Sequence, residues 1–195
     1  DIELARNFRE KQLQTSIGTG QYTAKKQTVS FTSDLRKDFA GVDVLKFAKN
    51  QTARIETAMA YDDNNLYLGW QVADDTPWVN GADDPAQMYA MGDTVDFQIG
   101  ADPKADPKRN EAVLGDLRLS IGNLQGKPTA VIFRRLADDK QPRKFYSGIV
   151  REGYEMQSVN VLADSKIEVK ADARKRLYTV EAAIPLKSIG LDIKT

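Results

Sequence analysis

The 195-residue chain contains no cysteine and no histidine. Without cysteine there is no thiolate nucleophile, no sulfur-ligated zinc or iron–sulfur centre, and no disulfide. Without histidine there is no Ser–His or Cys–His nucleophilic pair, no imidazole acid–base chemistry and no histidine-bound zinc. Excess charge of either sign is also missing: 28 Lys and Arg balance 28 Asp and Glu. The usual electrostatic case for a nucleic-acid or anionic-membrane partner is therefore absent. No apolar run reaches eighteen residues, so the sequence offers no helical membrane span. What remains as chemistry is carboxylates, lysine, tyrosine and oxygen-ligated metals, which favours a binding protein over an enzyme.

What is present is an ordinary globular composition, 41% hydrophobic and 29% charged. Residues 1–20 read as a separate N-terminal arm, in which Ile2, Leu4, Ala5, Phe8 and Leu13 recur near helical spacing before Gly18 and Gly20. From Gln27 onward the period changes to two. Ten strands are expected, over Gln27–Phe31, Val42–Phe47, Ala53–Tyr61, Asn65–Ala73, Asp93–Gly100, Asp116–Gly122, Thr129–Arg134, Ser158–Leu162, Lys166–Ala171 and Leu177–Ile184. Asp62-Asp63-Asn64-Asn65 supplies a hairpin turn between two of them, since Asp and Asn tolerate left-handed backbone. Many short strands without an intervening long helix predict an all-β, antiparallel sandwich or barrel over residues 21–195. The first residue is Asp rather than Met, and the last eight carry no tail-like composition. The first feature predicts a processed product or a piece of a longer chain, and the second a truncation at the C-terminus.

Alternation assigns side chains to faces. Val95, Phe97 and Ile99 oppose Thr94, Asp96 and Gln98; Leu117, Leu119 and Ile121 oppose Asp116, Arg118 and Ser120. Leu66, Leu68, Trp70 and Val72 form a core set against Tyr67, Gly69 and Gln71, and Tyr178, Val180, Ala182 and Ile184 another against Thr179, Glu181 and Ala183. The polar faces gather Asp96, Gln98, Arg118, Ser120 and Gln71, whose planar and hydroxyl groups suit sugar hydroxyls. The same pattern equally describes a solvated sheet face carrying a cross-strand Asp96–Arg118 ion pair. Trp78 lies outside any strand pattern, as a lid on the core or a binding platform. The connection Ala101–Asn110, with two prolines and mixed charge, reads as a variable insertion. Acidic loop residues, Asp62, Asp74 and Asp75 among them, offer oxygens for Ca²⁺, and equally serve as turn formers. No motif singles out an acid–base carboxylate pair for glycoside hydrolysis.

Three ordered blocks carry a resemblance. The run from Ala53 to Asp74, containing Tyr61-Asp62-Asp63-Asn64-Asn65-Leu66-Tyr67-Leu68, resembles the hairpin of carbohydrate-binding module family 9. Gly92–Ile99 is similar to the family's acidic strand, and Tyr178–Gly190, with Ile184-Pro185-Leu186, to its final signature. The resemblance implies a jelly-roll-like sandwich, a non-catalytic carbohydrate-binding role, structural Ca²⁺ and an exported protein. It puts the family's acidic residue on Asp96 and its arginine on Arg118. Ala90 stands where the family has a tryptophan, which leaves Tyr89 or Trp78 to supply the aromatic platform. Two other roles stay open: a structural or docking sandwich without sugar binding, and a haem-binding sandwich ligating iron through Met and Lys, for which Met59, Met88, Met91 and Met156 are the candidates.

Overall fold

The computed structural model describes residues 22–48, 53–106, 108–140, 142–145 and 154–191. The arm expected over residues 1–20 and the last four residues lie outside that set. Twelve strands are found among the described residues: β1 (Lys25–Lys26), β2 (Leu45–Ala48), β3 (Arg54–Tyr61), β4 (Asn65–Ala73), β5 (Thr94–Ile99), β6 (Leu117–Leu124), β7 (Lys127–Arg134), β8 (Arg143–Phe145), β9 (Tyr154–Met156), β10 (Ser158–Val161), β11 (Lys166–Asp172) and β12 (Leu177–Pro185). One helical turn, α1, spans Leu35–Asp38, and 3-10 turns cover Pro85–Ala90 and Leu186–Ile189.

The strands form an all-β sandwich. One sheet runs β1-β3-β4-β12-β11 with β2 also paired to β3, a second runs β10-β7-β6-β5, and β8 and β9 pair as a separate two-stranded ribbon. Between the two sheets lies the principal core, built from the alternating sets expected above: Leu66, Leu68 and Trp70 of β4, Val95 of β5, Leu117, Leu119 and Ile121 of β6, and Tyr178, Val180, Ala182 and Ile184 of β12. Each large aliphatic side chain buried there contributes about 1.5–3 kcal/mol. Trp70 sits directly across from Val180.

One pairing departs from the antiparallel rule: β1 runs parallel to β3. The strand expected at Gln27–Phe31 is also absent, for a geometric reason. Gln27 N–H still donates to the Tyr61 carbonyl at 2.8 Å, but β3 ends at Tyr61 and turns away at Asp62, so the following residues have no ladder to join. Instead Val29, Leu35, Phe39 and Val42 pack on the outer face of the larger sheet against Ala58, Ala60 and Tyr67. That face, expected to be polar, is therefore covered, and Tyr67, Thr179 and Glu181 are buried. Gly69 makes the fit possible, since a Cβ there would stand 2.5 Å from both Leu35 Cδ1 and Phe39 Cε2.

The outer face of the smaller sheet is half covered. Val131, Phe133 and Val159 point outward and pack with Met88, Ala86 and Ala82 from the connection before β5. Asp84 caps its 3-10 turn by accepting from Ala86 N–H, and Arg143 of β8 pairs with the same carboxylate. Met88 and Met156 both belong to this apolar cluster, Met59 packs against the principal core, and Met91 is exposed.

Candidate functional site

The polar pair expected on the smaller sheet is assembled by register. β5 and β6 place Asp96 opposite Ser120 and Gln98 opposite Arg118, all pointing away from the core. Arg118 reaches diagonally to Asp96, with Nη2 3.1 Å from Oδ2 and Nε donating to Oδ1 at 3.2 Å. Thr94 Oγ1 donates to Asp96 Oδ2 at 3.2 Å and Ser120 Oγ donates to Oδ1. The Tyr89 ring lies on the guanidinium, 3.5 Å from Cζ to ring centroid, a cation–π contact. Burial acts to lower the Arg118 pKa; the Asp96 hydrogen bond and charge outweigh it, leaving Arg118 above its ordinary value. With side chains only 19% and 25% exposed, Arg118 and Asp96 form a part-buried ion pair rather than the solvated one that alternation alone permits.

Beside this pair opens a cleft of about 840 Å³. Gln98, Arg118 and Phe133 line it from three adjacent strands, with Met156 behind. Arg109, Asn110 and Glu111 border it from the connection after β5, and Arg135 from the end of β7. Asp116 anchors that border, accepting from Arg109 Nη2 at 2.7 and 2.8 Å and from Val113 N–H at 3.0 Å. Burial acts to raise the Asp116 pKa, but the Arg109 fork holds the carboxyl below its usual range. The connection Ala101–Asn110, expected as a variable insertion, is thus tied to β6 and contributes to the cleft. Gln98 is exposed and reaches it freely. Such a wall offers amide, guanidinium and carboxylate groups in fixed positions, which suits hydroxyl-rich ligands.

Five of the six residues expected at the site come together, in roles the sequence does not distinguish. Ser120 is fully buried and its hydroxyl donates to Asp96, so it positions the carboxylate. Asp96 in turn positions Arg118. Tyr89 backs Arg118 instead of presenting an open face. Trp78 lies elsewhere, packed on the principal core with its ring 5.6 Å from that of Tyr178, so it is a lid on the core and not the platform. Its backbone is left-handed, φ 63°, held by Asp93 Oδ2 accepting from Val79 N–H at 2.8 Å. Arg109, Arg135 and Phe133 were not expected at the site; of the cleft residues outside the six, only Asp116 carried a signal, through its phase with Arg118.

The three aspartates considered for Ca²⁺ do not share a site. Asp62 ends β3, whereas Asp74 and Asp75 follow β4, a nine-residue strand that separates them by roughly 30 Å. Asp62 Oδ1 accepts from Asn64 and Asn65 N–H, both at 2.8 Å, and Oδ2 accepts from Tyr67 Oη at 2.6 Å and Thr28 Oγ1 at 3.1 Å. Burial acts to raise its pKa and those four donors lower it below the usual carboxylate range. Asp74 closes a local turn on Thr76, and Asp75 pairs with Arg176 at 2.9 Å. Among the described residues no three Asp, Glu, Cys or His gather as a metal site, and no helix is long and apolar enough to cross a membrane.

No protein-family model matches the chain, and no curated protein matches it. Among solved structures it is similar to a family 9 carbohydrate-binding module from Caldicellulosiruptor kristjanssonii in complex with cellotriose, with TM-score 0.48 and 14% identity over 85% of this chain and 67% of that one. It is likewise similar to a module of the same family and organism in complex with glucose, with TM-score 0.47 and 16% identity over 88% of this chain and 69% of that one.

Proposed function

We propose that this domain binds carbohydrate, without catalysing its hydrolysis, in the cleft beside Arg118. The observation that carries the reading is the convergence of Gln98, Arg118 and the Arg109–Asp116 fork on one concave wall. Gln98 offers an amide that both donates and accepts, and Arg118, whose Nε and Nη2 are taken by Asp96, offers the N–H groups on its other edge in a position fixed by Asp96 and Tyr89. Preorganised donors of this kind lose little entropy on meeting a sugar ring. Binding rather than hydrolysis fits the state of the acids. A glycosidase needs two carboxyls across the scissile bond, one of them held protonated; of the two acids lining the cleft, Glu111 and Asp116, the second is bound to Arg109, which holds it below its usual range. The carboxyl most strongly raised, Glu181, lies on the outer face of the other sheet. An exported setting and attachment to other domains belong to the same proposal, and rest on the sequence resemblance.

Titration calorimetry of the wild type against soluble oligosaccharides tests it, with Gln98→Ala and Arg118→Ala alongside. Gln98 is exposed, so its loss leaves stability within about 0.5 kcal/mol. Each variant is expected to weaken binding by about 1–3 kcal/mol. Silence of the wild type across the panel, or unchanged affinity in both variants, refutes the site and favours a structural or docking sandwich.

A further inference from the structure

The inner face of β7 carries Ala130, Ile132 and then Arg134, so the apolar alternation breaks at its last residue. On β10 the cross-strand partners of Arg134 and Ile132 are Ser158 and Asn160, again polar on the side that faces the core. Three polar side chains, Ser158 buried, Arg134 half-buried and Asn160 exposed at the sheet edge, thus stand together on the face where a sandwich ordinarily carries aliphatic ones, a local violation of pattern of the sort that marks a site. They line a second cleft, about 490 Å³, at the end of the sandwich, with Asp102, Asp138 and Asp139 exposed around it.

Arg134 is half-buried, and its Nη2 donates to the Ser188 carbonyl at 3.3 Å. Among the described residues no carboxylate pairs with it, in contrast to Arg109, Arg118, Arg143 and Arg176. Burial without a counter-charge pulls its pKa below the ordinary value. A guanidinium has five N–H groups and its cost of burial is recovered when a carboxylate accepts from two of them. Ser158 Oγ accepts from Asn160 Nδ2 at 2.6 Å, which leaves its own hydrogen to donate. The surrounding aspartates can accept from hydroxyls, and their charge disfavours a ligand bearing several anionic groups.

We infer that the Arg134–Ser158–Asn160 cleft is a second binding site, for a singly charged, hydroxyl-rich carboxylate of the uronic-acid class. The ligand class rests on the carbohydrate reading above; the site itself is distinct from the Arg118 cleft. Amide-resolved NMR titration of the full chain with glucuronate, glucose and acetate tests it. Glucuronate is expected to shift the amides of Arg134, Ser158 and Asn160, and to bind at least tenfold more tightly than glucose or acetate. Arg134→Gln should lower that affinity tenfold or more, and Arg134→Lys, which keeps charge but not the fork, should fall between. If Arg134→Gln does not fold, Arg134→Lys and the three wild-type titrations decide alone. Glucose or acetate matching glucuronate overturns the ligand class, and no shift at these three residues overturns the site. Because Gln98 and Arg118 amides report separately, failure here is distinguishable from failure of the Arg118 cleft.

Discussion

Glu181→Gln should abolish an unusual pH dependence of stability. Glu181 is fully buried on β12, and its Oε2 accepts from Ser33 N–H at 2.9 Å. Burial, together with the neighbouring Asp38 carboxyl that shares a hydrogen bond with it and the charge of Asp34, pushes its pKa up to about 7 from an ordinary 4.5. The folded state therefore keeps a proton that the unfolded chain has already released between those values. Stability from this group is complete below about pH 4.5, falls as pH rises, and is gone above about pH 7. The span of 4.5 to about 7, at 1.36 kcal/mol per pH unit, sets the swing near 3 kcal/mol at most.

The background is unusually clean. With no histidine in the chain, no side chain of ordinary pKa titrates between pH 5 and 8. Asp93, raised mainly by burial, adds a contribution of the same sign, while Asp38, Glu56, Asp62 and Asp116 are lowered and act only in acid. Glutamine matches the protonated acid in shape, can still accept from Ser33 and can donate to Asp38. Urea unfolding at pH 5 and pH 8 should show the wild type losing about 1–3 kcal/mol across the interval. Glu181→Gln should lose much less, and so exceed the wild type in stability at pH 8. A variant that keeps the wild-type slope would refute the reasoning and move the titrating group elsewhere.

Other outcomes follow from the packing. Gly69→Ala should destabilise by about 1–3 kcal/mol, measured by denaturant unfolding, because its Cβ collides with Leu35 and Phe39. Trp78→Ala should cost about 2 kcal/mol through lost contact with Tyr178 and leave sugar affinity unchanged; Trp78→Gly should be about 1 kcal/mol more stable than the alanine variant, since glycine accepts the left-handed backbone. Neither calcium nor a chelator should move the thermal midpoint, because the oxygens of Asp62 already accept four hydrogen bonds and Asp74 and Asp75 stand at the other end of β4. A calcium-dependent rise would place the ion on other residues.

The inner faces of the sandwich were legible and its outer faces were not, and the difference is physical. Period-two alternation over β4, β5, β6 and β12 marks the residues that meet between sheets, and it puts Trp70 in the core without any knowledge of partners. The same alternation brings Asp96, Gln98, Arg118 and Ser120 to one face, because β5 and β6 are sequence neighbours that pair antiparallel and each strand's apolar set is drawn to the core. What covers an outer face obeys no such period. Leu35, Phe39 and Val42 fall at i, i+4 and i+7, but Val29 lies outside that spacing and α1 is a single turn, so the run is too short to stand out as a helical repeat. The available signal was on the covered strands themselves: Ala58 and Ala60 of β3 and Gly69 of β4 are small residues on a face that water alone would not require to be small.

The candidate site follows the same logic one step further. Sequence can say that Asp96 and Arg118 share a face, but whether they meet solvent, each other or a ligand depends on what the preceding connection does. Here Pro85–Ala90 folds as a 3-10 turn that drives Met88 against the sheet and lays Tyr89 on Arg118. Gly122, whose Cβ would stand 3.0 Å from Met88 Sδ, is the mark that this contact leaves on β6. That cover shields Ser120 and part of Asp96 and leaves Gln98 and the free edge of Arg118 open toward Asp116. The polar face is thereby divided into a buried half that sets geometry and an exposed half that can meet a ligand. Substitutions in the two halves should separate accordingly: Ser120→Ala should lower stability and affinity together, by leaving Asp96 short of a donor and Arg118 loosely held, whereas Gln98→Ala should lower affinity alone. Equal behaviour of the two variants in paired unfolding and binding measurements would argue against that division.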